Sequence, residues 1–310
     1  MPNGDCLVVL DIGIDMKKTL KQNSLEASTK SKTQPCRDSF IQLSAVEINV
    51  IEQCNLRCKG CDHAMGIIPK RQISSSDILA DVEEAAKIMH TRTVRIIGGE
   101  PLLHPELPRI LRDVKKACIA DTLELWTNGV LLNKMTTDAW ENVDGVIISK
   151  YPNKNYNWDY SLLNEYANKY NAWFHVRNCN HFTWSSRSNK AKKPVLAKML
   201  HANCREAATC HTIRKGKFYK CVQAAFACDR LSVAELEIQD DGVLIHDNPK
   251  VIDEIESHLW THEPLHACYY CLGEFGCAFP HEDLSEKSMD TNELLDAKFD
   301  PQLILPDSFI

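Results

Sequence analysis

From Ser44 onward, short apolar runs alternate with amphipathic stretches, and this alternation limits the possible folds more than any other feature. The runs have the length of buried strands, and the stretches between them carry apolar residues at helical spacing. Repeated strand–helix units predict a parallel α/β sheet, because parallel strands need crossover connections. The predicted strands are residues 46–51, 94–97, 123–127, 145–149 and 172–177, and the predicted helices are 74–89, 107–117, 137–142 and 161–169.

The composition narrows the class of protein. The chain has 310 residues, 44% of them hydrophobic, which suffices for one large domain and a smaller one. The net charge of −6 and the absence of a basic stripe predict no nucleic-acid partner. No apolar run reaches the roughly 18 residues of a membrane helix. No basic segment precedes the short apolar patch at residues 7–14, so we expect no signal peptide and a cytoplasmic protein.

Three cysteines follow the first predicted strand at the spacing C-x3-C-x2-C: Cys54, Cys58 and Cys61. Three thiolates can hold three irons of a cubic [4Fe–4S] cluster and leave the fourth iron open. An open coordination position is where a metal site does chemistry. The alternative is a structural zinc site with His63 as fourth ligand, although His63 lies only two residues after Cys61.

A second motif, Gly98-Gly99-Glu100, follows the strand predicted at residues 94–97. Two glycines allow a backbone to approach a ligand closely. The carboxylate of Glu100 can accept hydrogen bonds from an ammonium group. The position of this motif at the carboxyl end of a strand predicts a binding site there.

These two motifs together resemble the radical S-adenosylmethionine (SAM) superfamily. The resemblance implies a partial (β/α)6 TIM-like barrel in which Cys54, Cys58 and Cys61 hold a SAM-binding [4Fe–4S] cluster. It implies that SAM is cleaved by one electron to methionine and a 5′-deoxyadenosyl radical, which abstracts hydrogen from a substrate. It also implies an external one-electron reductant of the flavodoxin or ferredoxin type.

The resemblance assigns further contacts to SAM. Gly98, Gly99 and Glu100 would bind the amino group, and Asn128 would lie near the ribose and methionine. Ser149 and Arg177, each at a predicted strand end, would contact the carboxylate and ribose. Many members carry an aromatic residue just before the third cysteine, where this chain has Gly60. The contact to adenine is therefore open, with His63 as a candidate.

A second group of cysteines lies between residues 204 and 277. It surrounds a predicted hairpin with Lys215-Gly216 at its turn. The group resembles the SPASM and twitch extensions of radical SAM enzymes, which bind auxiliary clusters. Cys204, Gly216 and Cys221 fit the first half of that pattern; Cys268, Cys271 and Cys277 fit most of the second, and His281 occupies the position of its last cysteine.

The number of thiols predicts one auxiliary [4Fe–4S] cluster rather than two. Cys204, Cys221, Cys268 and Cys271 would complete it. The remaining thiols, Cys210, Cys228 and Cys277, are candidate hydrogen donors. Two alternatives stay open: a degenerate pair of clusters that uses His281, and a zinc ribbon on the same four thiols.

These motifs divide the chain into a flexible lead-in (1–43), the partial barrel (44–200), a small auxiliary-cluster domain (201–281) and a C-terminal tail (282–310). The short lead-in favours a small carbohydrate- or aminocyclitol-like substrate that is dehydrogenated or epimerised. The alternatives are a peptide-modifying maturase, a glycyl-radical activase, and an electron carrier without SAM chemistry.

Overall fold

The structure, a computed structural model, describes residues 41–187, 194–284, 295 and 297. The predicted lead-in lies outside the described residues except for its last three positions, as does most of the predicted tail. The strands are β1 (Ile41–Asn49), β2 (Ile51–Glu52), β3 (Arg71–Gln72), β4 (Met89–Ile97), β5 (Ala120–Thr127), β6 (Gly145–Lys150), β7 (Trp173–Asn178), β8 (His181–Thr183), β9 (Thr212–Arg214), β10 (Lys217–Tyr219), β11 (Val243–Leu244) and β12 (Ala278–Pro280).

Helices connect and cover these strands. They are α1 (Ser75–Ile88), α2 (Leu107–Ala117), α3 (Thr137–Glu141), α4 (Tyr160–Tyr170), α5 (Pro194–Ala202), α6 (Glu206–Thr209), α7 (Val222–Ser232) and α8 (Val251–Trp260). Helix α1 begins where the sequence predicts, since Ser74 caps it by accepting a hydrogen bond from the backbone of Asp77. Its stripe of Ile78, Val82 and Ala85 is buried, and each fully buried aliphatic side chain contributes roughly 1.5–3 kcal/mol.

The main sheet confirms the predicted mixed α/β class with a mostly parallel barrel sheet. Its order is β11-β10-β9-β1-β4-β5-β6-β7, and β1, β4, β5, β6 and β7 are parallel neighbours in chain order. Helices α1 to α4 make the four crossovers between these five strands.

The main sheet contains six parallel strands, as the resemblance implies, and five of them are successive. After β7 the chain turns into β8, which pairs with β12 in a separate two-stranded sheet. The next strand of the main sheet, β9, lies at the opposite side and pairs in parallel with β1.

The predicted hairpin is confirmed and extends the main sheet. Strands β9 and β10 pair antiparallel, and Lys215 and Gly216 form the turn with φ of +53° and +71°. Both values lie in the left-handed region that a two-residue hairpin turn requires. The hairpin thus joins the second cysteine region to β1, the first strand of the barrel, and so places it near the cysteine loop that follows β1 and β2.

Candidate active site

Side chains from the carboxyl ends of the parallel strands surround a cavity of about 540 Å³. The loop after β1 and β2 contributes Cys54, Cys58 and Cys61 to its wall. The other sequence-predicted residues that line it are Gly98, Gly99, Asn128, Ser149, Arg177, His63 and Cys210. Parallel strands bring their carboxyl ends to one edge of a sheet, so residues far apart in the chain share this site.

The three loop thiols influence one another electrostatically. The pKa of Cys54 is raised to about 12. Burial is the largest cause, and the neighbouring charge of Cys61 contributes to the same shift. Burial also raises the pKa of Cys58, with additional contributions from Cys61 and Cys54. Thiols in this environment keep their protons unless a cation replaces them, because metal ligation requires the thiolate. The donor set therefore fits a positively charged iron–sulfur group.

The two glycines of the second motif anchor the cysteine loop. The Gly99 N–H donates to Ile51 O and the Glu100 N–H donates to Gln53 O, both at 2.8 Å. A Cβ on Gly99 would lie 2.1 Å from Gln53 O, and one on Gly98 would lie 2.5 Å from Ile51 O. The close approach that requires glycine is thus to the backbone just before Cys54, and this contact fixes where the loop begins.

Glu100 corrects an expectation. Its side chain is fully buried and does not line the cavity; its carboxylate accepts hydrogen bonds from Thr127 Oγ1 (2.7 Å), Asn128 N (2.8 Å) and Leu102 N (3.0 Å). Burial raises the pKa of Glu100 to about 7 against these donors. Since the carboxylate is satisfied inside the protein, Glu100 braces adjacent strand ends instead of facing a SAM amino group.

Asn128 connects the end of β5 to the cysteine loop. Its Nδ2 donates to Asn55 Oδ1 at 2.7 Å and lies 3.7 Å from Cys54 Sγ. Its Oδ1 accepts from the Val130 N–H at 3.0 Å. The side chain thus lies at the cavity, as predicted, and it also orients the first cluster cysteine.

Ser149 and Arg177 end β6 and β7 and both line the cavity. Trp126 holds the Arg177 guanidinium, which lies 5.0 Å from the centroid of the indole ring. Such a cation–π contact leaves the guanidinium free to bind an anion in the cavity.

His63 lines the cavity and packs edge-on against Phe226, with ring centroids 5.4 Å apart. Burial lowers the pKa of His63 to about 4, so the imidazole is neutral. The contact between His63 and adenine remains a prediction.

Phe279 explains the glycine at position 60. A Cβ on Gly60 would lie 2.9 Å from Phe279 Cζ, and Gly60 has φ of +69°. Phe279 belongs to β12, so a ring from the C-terminal region fills the space beside the residue that precedes Cys61.

The three candidate hydrogen donors do not lie together. Only Cys210 lines the cavity, and burial raises its pKa to about 11. Cys228 contacts Ile238 O from α7 at 3.9 Å, and neither it nor Cys277 lines the cavity. The geometry therefore removes Cys228 and Cys277 as donors. It adds Cys179, one residue after β7, which sequence reasoning treated as an ordinary thiol.

Sequence reasoning also missed three acidic residues that line the cavity: Glu47, Asp62 and Glu206. Their pKa values are raised to about 7, 6 and 8 respectively, and burial is the largest cause for each. The charges of Asp62 and Glu47 contribute to the shift at Glu206. Glu47 is 5% exposed, and its Oε2 has no partner among the described residues. The sequence signal that could have found Glu47 is its position within an apolar strand, because a buried carboxylate needs a functional or structural partner.

The predicted auxiliary ligands come together in a second, smaller cavity. Cys204, Cys221, Cys268 and Cys271 all line it, together with Glu206. Burial raises the pKa of each thiol, and the charge of Cys268 adds to the effect at Cys221 and Cys271. These four sulfurs come from three places in the chain, which a shared cofactor would explain.

Neither cysteine site has its donors converged on one point. Across residues 41–187 and 194–284, no three His, Cys, Asp or Glu side chains are placed to hold a single metal ion. The zinc alternatives and the iron–sulfur clusters both stay predictions for these thiols.

His281 lies at the first cysteine site and not at the second. Its Nε2 is 3.2 Å from Cys58 Sγ, and it does not line the cavity formed by Cys204, Cys221, Cys268 and Cys271. The alternative in which His281 completes a second auxiliary cluster is therefore wrong for this geometry. Cys277 and Cys210 do not line that cavity either.

Residues 48–149 match the sequence model of the Radical SAM superfamily. The matched segment contains the three loop cysteines and the Gly98-Gly99-Glu100 motif, and it ends at Ser149. The match covers about a third of the chain, and this segment, with the parallel barrel sheet, is similar to radical SAM enzymes. Among the described helices, none is both long and apolar enough to cross a membrane.

Two curated relatives match part of the chain. GTP 3′,8-cyclase of Microcystis aeruginosa is 34% identical over 104 residues, which make up 32% of this chain and 32% of that protein. GTP 3′,8-cyclase of Chlorobaculum tepidum is 37% identical over 111 residues, 34% of this chain and 32% of that protein. The chain thus spans about a third of the length of the curated relatives it matches.

Two solved structures are similar over a larger share of the chain. BtrN in complex with AdoMet and 2-DOIA covers 77% of this chain and 97% of its own, at 13% identity and a TM-score of 0.47. SuiB of Streptococcus suis bound to the precursor peptide SuiA covers 77% of this chain and 69% of its own, at 12% identity and a TM-score of 0.37.

Proposed function

We propose that this protein binds a [4Fe–4S] cluster on Cys54, Cys58 and Cys61, cleaves SAM reductively, and abstracts hydrogen from a small polar substrate. The substrate class is carbohydrate- or aminocyclitol-like, and the reaction is dehydrogenation or epimerisation. One observation carries the proposal: the three loop thiols and the carboxyls of Glu47, Asp62 and Glu206 line the same cavity.

The cluster and SAM supply the hard chemistry, an electron transfer that yields methionine and a 5′-deoxyadenosyl radical, and the protein supplies position and electrostatics. Asn128 orients the loop beside Cys54, and the Gly98-Gly99 backbone fixes where that loop starts. Arg177 offers a guanidinium to the SAM carboxylate from its place on Trp126.

The acidic wall supports a substrate rich in hydrogen-bond donors. Glu47, Asp62 and Glu206 present carboxyl oxygens, which accept hydrogen bonds from hydroxyl or ammonium groups. The name of the cyclase relatives points to GTP, and Arg177 and Arg205 line the same cavity. The three carboxyls support a polyol or amino polyol, and GTP is the competing candidate that the test includes.

Cys210 supports epimerisation. In that reaction the Cys210 S–H bond breaks, and its hydrogen atom forms a C–H bond with the substrate radical. The resulting thiyl radical then takes one electron and one proton, with the electron supplied by an external reductant of the flavodoxin or ferredoxin type.

Dehydrogenation needs no donor and instead passes one electron and one proton from the substrate radical to acceptors. We propose the four thiols Cys204, Cys221, Cys268 and Cys271 as the ligands of an auxiliary [4Fe–4S] cluster that serves as the electron acceptor.

The test is turnover of anaerobically reconstituted protein with dithionite and SAM, with 5′-deoxyadenosine measured by mass spectrometry. We expect release from wild-type protein and none from Cys58→Ala, whereas Cys228→Ala, outside the cavity, retains it. Substrate candidates labelled with deuterium, namely amino polyols, sugars, a peptide and GTP, should transfer deuterium to 5′-deoxyadenosine only when they are true substrates. Release that persists in Cys58→Ala, or transfer from the peptide or GTP alone, overturns the proposal.

A further inference from the structure

Residues 281–284, here called the C-terminal strap, lie along the loop that carries the first cysteine site. The Lys59 N–H donates to Glu282 O at 2.9 Å, and the Leu284 N–H donates to Arg57 O at 2.8 Å. The Arg57 N–H donates to Asp283 Oδ1 at 3.0 Å. These hydrogen bonds fall on both sides of Cys58, so the strap holds the loop at that residue.

The first residue of the strap, His281, directs its ring at the sulfur of Cys58. The distance from Nε2 to Sγ is 3.2 Å. The ring stacks on Tyr151, with centroids 4.5 Å apart and planes inclined by 21°. The His281 N–H donates to Asn180 O at 2.8 Å. Ring and backbone are therefore both fixed, which gives the Nε2–Sγ contact a defined geometry.

The chemistry of the contact sets which atom donates. A thiolate that binds iron carries no proton, so the hydrogen must come from Nε2. Donation from Nε2 leaves Nδ1 as the acceptor.

We propose that His281 donates an N–H···S hydrogen bond to the thiolate of Cys58 and thereby raises the reduction potential of the iron–sulfur cluster bound there. The inference rests on the proposed function, because it takes Cys58 as a ligand of that cluster. Reduction adds negative charge to a cluster, and hydrogen bonds to its sulfurs stabilise the reduced form more than the oxidised form. His281 acts through Cys58 and is therefore a positioning residue.

The strap also couples distant parts of the chain. It follows β12, which begins directly after Cys277, the last residue of the second cysteine region. His281 occupies the place of the last cysteine in the SPASM pattern. Instead of lying at the second cysteine site, it contacts Cys58 at the first one. A change in the C-terminal region can thus alter the potential of the first cluster.

The experiment compares wild-type protein, His281→Phe and His281→Gln by EPR-monitored redox titration without SAM. His281→Phe keeps a ring to stack on Tyr151 but has no donor, and His281→Gln restores an N–H. The signal of the first cluster is the one missing from Cys58→Ala. We expect it to move to lower potential in His281→Phe, with about a tenfold change in the reduction equilibrium, or about 59 mV for one electron. In His281→Gln the shift should be smaller.

Iron content and a control variant away from the site complete the design. All histidine variants should keep wild-type iron, and Glu83→Gln, on the exposed face of α1, should keep the wild-type potential. An unchanged potential in His281→Phe overturns the inference, as does loss of iron from the second site, which would make His281 a ligand there. If His281→Phe does not fold, His281→Leu, which also lacks a donor, replaces it: a potential below that of Glu83→Gln supports the inference, and equal potentials overturn it. Wild-type protein that titrates but releases no 5′-deoxyadenosine overturns the proposed function while the hydrogen bond remains measurable.

Discussion

Thr127 Oγ1 donates a 2.7 Å hydrogen bond to Glu100 Oε1, and both residues are buried. The contact joins the segment after β4 to the end of β5, next to Asn128, which orients the cysteine loop. Glu100 is thus part of the framework that holds the site, and its carboxylate has three internal donors.

Glu100→Gln should destabilise the protein by about 1–3 kcal/mol, because one carboxylate oxygen becomes an NH2 group that faces buried donors. Urea unfolding of the apoprotein measures this loss. Glu83→Gln, on the exposed face of α1, is the matched control and should change stability little. Unchanged stability with lost SAM binding would instead return Glu100 to the role of a SAM ligand.

Gly99→Ala should displace the start of the cysteine loop, because its Cβ would lie 2.1 Å from Gln53 O. The backbone must move to relieve this contact, so we expect a lower iron content at the first site and a less stable apoprotein. Glu83→Ala, on the exposed face of α1, is the control and should keep the wild-type iron content. Wild-type iron binding in Gly99→Ala would show that the tight approach is unnecessary.

Sequence reasoning reached the features that depend on local pattern. The strand–helix alternation, the cap at Ser74 and the Lys215-Gly216 turn are written in neighbouring residues, and the structure contains each of them. Each predicted set of cysteines lines one cavity, and their role as ligands stays a prediction.

What sequence reasoning missed depends on contacts between distant segments. The direction of the Glu100 side chain is set by how β4 packs against β5, and no local pattern encodes it. His281 reaches Cys58 through the strap, and Phe279 fills the space at Gly60, both across more than two hundred residues. The place of the sixth parallel strand has the same origin, because β9 pairs with β1 at the other side of the sheet while β8 pairs with β12.

Glu47→Gln should remove a pH dependence of stability. Burial raises the pKa of Glu47 from 4.5 to about 7 despite Arg95, 3.4 Å away. The folded state thus holds the proton more tightly than the unfolded state, so this contribution is fully present below pH 4.5 and is lost as the pH rises through 7. Relative to wild type, the apo variant should therefore gain on the order of 2 kcal/mol between pH 5 and pH 8.

Unfolding by urea at both pH values checks this prediction. The exposed Glu83→Gln variant should follow the wild-type profile, because Glu83 lies on the solvent side of α1. Parallel profiles for wild type and Glu47→Gln would mean that Arg95 keeps Glu47 ionised in the folded protein.

Cys268→Ala should lower the iron content to that of one cluster, while Cys277→Ala should keep the wild-type content. Cys268 lines the second cavity with Cys204, Cys221 and Cys271, and Cys277 does not. Iron and zinc analysis of anaerobically reconstituted protein measures both variants. Stoichiometric zinc, or equal iron in Cys268→Ala and wild type, would contradict an auxiliary iron–sulfur cluster at these thiols.

Cys210→Ala separates the two reactions that remain for the proposed function. If the substrate is epimerised, Cys210 returns a hydrogen atom from the cavity wall, and turnover in D2O places solvent deuterium in the product, because the S–H exchanges with water. The variant should then still consume SAM but give no epimerised, deuterated product, whereas Cys228→Ala behaves as wild type because its thiol lies outside the cavity. If the substrate is dehydrogenated, Cys210→Ala gives the oxidised product at the wild-type rate. Mass spectrometry of the product therefore decides between the reactions, and deuterium incorporation that survives in Cys210→Ala moves the donor role to Cys179, the other non-ligand thiol that lines the cavity.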